Sequence, residues 1–208
     1  MKNRTIILIR HAECEHHLTD LTGGWTDDDL TGHGMKQAEV LASDIHREYS
    51  EYKPMIYSSD LKRTKQTASV IAKLFETNFL ALQGLNEHNN GLAANKTVNN
   101  AKKHALKRTE PILDWRPYVG AESWREFYKR VCDVMDDVYE RDENLQILVS
   151  HSATIMNIVA WWLYIDIELL KKISFNVLPA SITVLKLSKS GEHILDTLNC
   201  VSHLRGSK

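Results

Sequence analysis

The chain is short of cysteine, of proline, of long apolar runs and of charge of one sign. Its three cysteines, Cys14, Cys132 and Cys200, are an odd number, stand far apart and form no Cys-x-x-Cys pair. That argues against a disulfide framework and points to reduced thiols in a cytoplasmic protein. No Pro/Gly linker, internal repeat or low-complexity tract divides the chain. No segment approaches the length of a membrane span. The apolar run after Met1-Lys2-Asn3-Arg4-Thr5 is too short for a signal peptide, and no small-residue cleavage site follows it. Twenty-six Lys and Arg face 27 Asp and Glu, a formal net charge of −1, so there is no basic field to hold nucleic acid. A length of 208 residues fits one α/β domain, 1–208, with a sizeable core and room for an insertion.

Against that background one stretch stands out. Thr5-Ile6-Ile7-Leu8-Ile9 is a β-prone apolar run followed at once by Arg10-His11-Ala12-Glu13. The run predicts a strand buried on both faces of a parallel sheet. Its last residues then lie at the sheet's C-terminal edge, where open α/β sheets bind ligands. For one strand alone, side chains facing water would be the simpler reading. The pattern recurs, however. Met55-Ile56-Tyr57 leads into Ser58-Ser59-Asp60 and a helix from about Leu61 to Phe75, with Asp60 as its N-cap and Arg63 in its first turn. The helix dipole disfavours a cation there unless an anion binds at the same helix start. Gln146-Ile147-Leu148-Val149 ends in Ser150-His151-Ser152, just before a helix from Ala153 to Leu163.

Other elements follow from periodicity. Met35 to Tyr49 reads as a helix, and Glu122 to Arg141 is the clearest amphipathic one, with Trp124, Phe127, Val131, Val134, Met135 and Val138 on one face. Phe79-Leu80-Ala81-Leu82 reads as a weak strand. Ile182–Leu187 and His193–Leu198, joined by Ser-Lys-Ser-Gly, read as a hairpin on an otherwise parallel sheet. Together these give a three-layer sandwich, a mostly parallel central sheet with helices on both faces. Between about 88 and 120 the composition turns to Asn and Lys. This is read as a helical and loop insertion over the site, with Lys102, Lys103 and Lys107 setting substrate choice or simply forming a solvated face.

If neighbouring strands carry the three junctions, Arg10, His11, Arg63 and His151 converge at one sheet edge. Two guanidiniums can clamp phosphate oxygens in a planar, permanently charged geometry. An imidazole can attack phosphorus. Glu87, in the loop Leu85-Asn86-Glu87-His88-Asn89-Asn90-Gly91, is the nearest acid to protonate a leaving oxygen. Glu13 reads as a structural partner for a nearby cation and Cys14 as an inert thiol. A metal cluster of His16, His17, His33 and His88 lacks any recognised ligand spacing.

In this order the motifs resemble the histidine phosphatase superfamily, in its phosphoglycerate-mutase-like branch. The matching segments are Arg10-His11-Ala12-Glu13, Gly24 to Ala38, Ser58 to Ala68, Leu85-Asn86-Glu87, Gly120 to Ser123, Val149-Ser150-His151 and Asn199 to Leu204. The resemblance implies a phosphomonoesterase in which His11 is the nucleophile and forms a phosphohistidine. Arg10, Arg63 and His151 hold the phosphoryl group, and Glu87 is the acid and then the base. It implies no metal, no cofactor and a small phosphorylated metabolite as partner; it also allows a homodimer. His17 stands where the family commonly has Asn, and a protonated His17 would still donate to phosphate, with more dependence on pH. Ser152 replaces a common Gly, keeps its backbone N–H for the ligand and narrows the pocket. Asp29 replaces a Pro and is expected to alter loop stiffness, while Asp28 is unremarkable. The rival readings are mutase-type phosphoryl transfer and a catalytically weak phospho-ligand-binding regulator.

Overall fold

The computed structural model describes residues 4–205 apart from residue 142. Six strands form one sheet: β1 (Arg4–Arg10), β2 (Met55–Ser58), β3 (Phe79–Ala81), β4 (Leu145–Ser150), β5 (Ile182–Leu187) and β6 (His193–Cys200). Their spatial order is β3-β2-β4-β1-β5-β6. The first four run parallel, whereas β5 is antiparallel to β1 and β6 to β5. β4 thus sits between β1 and β2, in register with Arg10 opposite Ser150 and Ser58 opposite Val149. The three strands that end in functional candidates are therefore neighbours. Backbone bonds extend the ladder past their ends: His11 N–H donates to Ser150 O at 2.9 Å, and Ser59 N–H to Val149 O at 3.0 Å.

The period of two along β1 divides the core. Ile6 and Leu8 face α4 (Trp124–Tyr139) and α5 (Ser152–Trp162), meeting Phe127, Val131, Ile155 and Val159. Ile7 and Ile9 face α1 (Gly32–Tyr49) and α2 (Lys62–Leu74), meeting Leu41, Ile45, Ala68 and Ile71. Each fully buried Ile or Leu contributes roughly 1.5–3 kcal/mol of transfer free energy. The two apolar layers fix the sheet and hold its C-terminal edge rigid.

Three local expectations need correction. Asp60 does not cap α2. The helix begins at Lys62 with Leu61 as N-cap, and the Asp27 carboxylate, 35 residues earlier in the chain, accepts from Lys62 N–H at 2.7 Å. The stretch 88–120 contains one five-residue helix, α3 (Val98–Lys102), and otherwise 3₁₀ turns and irregular chain. It packs on the loop before α1, where Leu21 bridges Thr97 and Thr22 N–H donates to Lys96 O at 2.9 Å. Glu13 has no cationic partner among the described residues. Its carboxylate accepts from the Thr31 hydroxyl at 2.7 Å. That fixes the start of α1, where Thr31 is the N-cap, so close to the chain that a Cβ on Gly34 would fall 1.9 Å from Glu13 O. No helix among the described residues is long and apolar enough to cross a membrane.

Candidate active site

Strand ends and helix starts bring Arg10, His11, Arg63 and His151 together. Arg63 lies at the centre and is 1% exposed. Its Nε–H donates to His11 Nε2 at 3.2 Å, and Nη2 to His151 Nδ1 at 3.1 Å. The other donors reach Gly24 O, Thr26 O and the Asp28 carboxylate. All five guanidinium N–H groups are thus engaged, two of them on imidazole lone pairs. Gly24 serves here because its φ is +61° and a Cβ would lie 2.6 Å from the Asn90 side chain.

The two histidines are held in complementary tautomers. His11 Nδ1–H donates to Ala12 O at 2.8 Å, so Nε2 is unprotonated and accepts from Arg63. His151 accepts at Nδ1 and donates from Nε2 to the Ser59 hydroxyl at 2.8 Å. Burial, and after it the Arg63 charge, pushes both imidazoles well below 6.5. Arg10 Nη1 donates to Val177 O at 2.6 Å and Nη2 to His17 Nε2 at 2.8 Å. Its Nε is buried without a partner, a spare donor that an anion would satisfy. Burial lowers both arginines from 12.5, and they remain cations.

His17 differs from the expected cationic donor. Burial, with His16 and Arg10 nearby, lowers it to about 4, so it is neutral at pH 7. It stacks on His11 with ring centroids 5.5 Å apart and accepts from Arg10. Asp28, which looks unremarkable in sequence, is the carboxylate on Arg63 at 3.2 Å and on His16 at 2.9 Å. Hydrogen bonds from His16, with Arg63 nearby, outweigh its burial and hold it at about 2.

Both helix starts meet a carboxylate of the chain itself: Asp27 at α2, and at α5 Glu87, whose Oε2 accepts from Ala153 N–H at 3.0 Å. Ser152 opens α5, half-buried, beside His151. The Glu87 loop is held by groups that the sequence does not single out. Trp25 Nε1–H donates to Glu87 O at 2.7 Å. Arg130 donates to Gly84 O, Asn86 O and Glu87 O and forms a bidentate pair with Glu122. The helical periodicity that places Val131 and Met135 in the core leaves Arg130 free to reach this loop. Cys14 is buried, and burial raises its thiol to about 12, so the sulfur keeps its proton at pH 7 and is not a nucleophile.

The buried imidazoles have a consequence for stability. His11, His151 and His17 all have folded pKa values below 6.5, the usual value, which the unfolded chain keeps. Below 6.5 the unfolded chain binds more protons than the fold, so stability falls as pH drops from about 6.5 toward 4. The melting temperature in phosphate-free buffer is expected to decline between pH 7 and pH 5. A flat profile would mean that these rings titrate as freely in the fold as in the unfolded chain.

A neutral imidazole lone pair set against buried guanidiniums, with a carboxylate at the next helix start, defines a site for an anionic group and for attack upon it. The family model of the histidine phosphatase superfamily (branch 1) matches residues 6–200. The chain belongs to that superfamily. It is 31% identical over 205 residues to phosphoserine phosphatase 1 of Hydrogenobacter thermophilus, covering 96% of this chain and 93% of that one. It is 27% identical over 207 residues to a metal-independent phosphoserine phosphatase of Arabidopsis thaliana, covering 96% and 82%. The crystal structure of phosphoserine phosphatase from Entamoeba histolytica in complex with 3-phosphoglyceric acid superposes with a TM-score of 0.76 at 25% identity, covering 97% and 99%.

Proposed function

We propose that this phosphomonoesterase hydrolyses phosphoserine and related small phosphorylated metabolites through a covalent phosphohistidine at His11. The observation that carries the proposal is the double contact of Arg63 with His11 Nε2 and His151 Nδ1, because it sets the nucleophile's lone pair beside phosphate-binding donors. Nε2 attacks phosphorus and the bond to the serine oxygen breaks. Arg63 and Arg10 hold the phosphoryl oxygens as charge spreads over them, and His151 joins them once the phosphoryl group displaces Arg63 from its Nδ1 and that nitrogen takes up a proton. His17, by orienting Arg10, and the backbone N–H of Ser152 complete the cradle. Glu87 gives its proton to the leaving alcohol and then removes one from the water that attacks the phosphohistidine. Inorganic phosphate leaves and Glu87 is again protonated.

The guanidiniums supply the charge that a divalent cation supplies elsewhere. Enzyme prepared metal-free is therefore expected to release inorganic phosphate from phosphoserine at the same rate with and without EDTA. A rate that EDTA abolishes and added magnesium restores would contradict this. Absence of phosphate release from phosphoserine, with release from other phosphorylated metabolites in the same panel, would remove phosphoserine as substrate and leave the chemistry standing.

Beside Glu87 lies a cleft of about 610 Å³ lined by His88, Trp115 and Trp124 and by the cations Arg108, Lys171 and Lys172. It suits the part of a substrate remote from phosphorus. Lys102, Lys103 and Lys107, expected from sequence to set selectivity, are exposed and outside this lining. Arg108→Ala combined with Lys172→Ala is expected to lower kcat/KM for multiply charged substrates by roughly two- to fivefold and to spare a small aryl phosphate, at about 0–1 kcal/mol per exposed cation. The difference should shrink in high salt. An equal loss for both substrates would assign the two residues to the fold.

A further inference from the structure

Beside His11, the one-turn 3₁₀ helix Glu15–His17 gathers a set of side chains that the proposed reaction does not consume. The Cys14 sulfur is 3.3 Å from His16 Nδ1 and 3.7 Å from His17 Nδ1. His16 Nδ1 is in turn 2.9 and 3.1 Å from the two Asp28 oxygens. As hydrogen bonds these contacts are over-subscribed, because one ring nitrogen faces both carboxylate oxygens and the sulfur and holds at most one proton. As metal ligands they are coherent. Tetrahedral zinc with Zn–S near 2.3 Å and Zn–N or Zn–O near 2.0 Å needs ligand atoms roughly 3.2–3.6 Å apart. The distances here bracket that range. Two triads share the sulfur, Cys14–His16–Asp28 and Cys14–His17–His11, with the ligand atoms of each within 4.8 Å of one another. The backbone supports the arrangement, since His16 N–H donates to Asp28 Oδ2 at 2.7 Å and fixes that carboxylate under the turn.

We infer that Cys14, His16 and Asp28 form a three-residue binding site for zinc or a similar thiophilic divalent cation, with solvent as fourth ligand, and that its occupation stops turnover. Binding replaces the thiol proton by the metal and releases that proton to solvent. A thiolate and a carboxylate then balance the two positive charges, so the cluster is neutral beside Arg63 and Arg10. The cation takes a ligand from Arg63, because Asp28 is the carboxylate on that guanidinium. Arg63 loses the group that orients it, and the sulfur that holds the cation lies within 4.8 Å of ring nitrogens of His11 and His17.

The inhibitory part of this inference rests on the phosphatase reading, whereas the site does not, and the test separates the two. Cobalt(II) is titrated into the metal-free full-length protein. One equivalent is expected to give a sulfur-to-cobalt charge-transfer band and tetrahedral visible absorption, with zinc displacing it. Both signals should vanish in Cys14→Ala and in Cys14→Ser, the latter closer in volume. In parallel, one equivalent of zinc is expected to lower turnover of an aryl phosphate at least tenfold, with EDTA restoring it. The Cys14 variants should keep basal turnover and lose zinc sensitivity. No thiolate band, or a band that survives in both variants, would overturn the site. Zinc binding without loss of turnover in an active enzyme would overturn the inhibition. A protein with the cobalt band but no phosphatase activity would contradict the proposed function alone.

Discussion

The His11→Ala variant is expected to lose turnover of phosphoserine by on the order of 10⁴-fold or more while remaining folded. Its ring is buried yet belongs to neither large apolar layer, so its loss does not open the core. With Nδ1–H committed to Ala12 O, Nε2 carries the one lone pair of this ring. Burial keeps that lone pair free of a proton at pH 7. The same shift sets the acid limb of kcat/KM below pH 6.5, since activity is lost as His11 takes up a proton there. Circular dichroism and steady-state kinetics together check the expectation. A folded variant with a tenth or more of normal turnover would contradict it.

Arg63→Ala is expected to reduce kcat/KM by about 10²–10³-fold, as does removal of a donor that stabilises transition-state charge. Arg63→Lys should recover little of that loss. The guanidinium satisfies Gly24 O, Thr26 O, Asp28 and two imidazole nitrogens at once. An ammonium has three donors. It leaves at least two buried acceptors unpaired, at about 1–3 kcal/mol each, and loses the planar fork that matches a phosphoryl group. Both variants should also melt lower, because Arg63 ties the loop from Gly24 to Asp28 to the sheet edge. A lysine variant with full kcat/KM would make Arg63 a distant charge rather than a ligand of the phosphoryl group.

What could be read from sequence and what could not divides along sequence distance. A buried strand that ends in Arg10-His11, and another that ends in His151, are local patterns, and the sheet places them side by side as expected. The alternation of Ile6 and Leu8 with Ile7 and Ile9 is equally local and predicts both helical layers. The residues that hold the site depend on loops meeting across the fold. Asp28 reaches Arg63 over 35 positions, and Arg130 reaches Glu87 over 43. Nothing in their immediate neighbours marks either one. The cap of α2 shows the same limit, since local preference selects Asp60 and the fold supplies Asp27. The sequence places His17 near His11 but does not give its charge, which depends on burial, on His16 and on the arginine it faces. The stretch 88–120 was legible as an excursion, though its composition overstated its helix content.

The measurement closest to the centre of this account is the chemical state of the enzyme during turnover. Protein mixed with radiolabelled phosphoserine, quenched within milliseconds and digested at alkaline pH, should carry phosphate that is stable in base and labile in acid. The label should map to the peptide that contains His11, and it should be absent from His11→Ala. Label on a different residue, or steady turnover with no covalent phosphate at any quench time, would contradict the phosphohistidine mechanism.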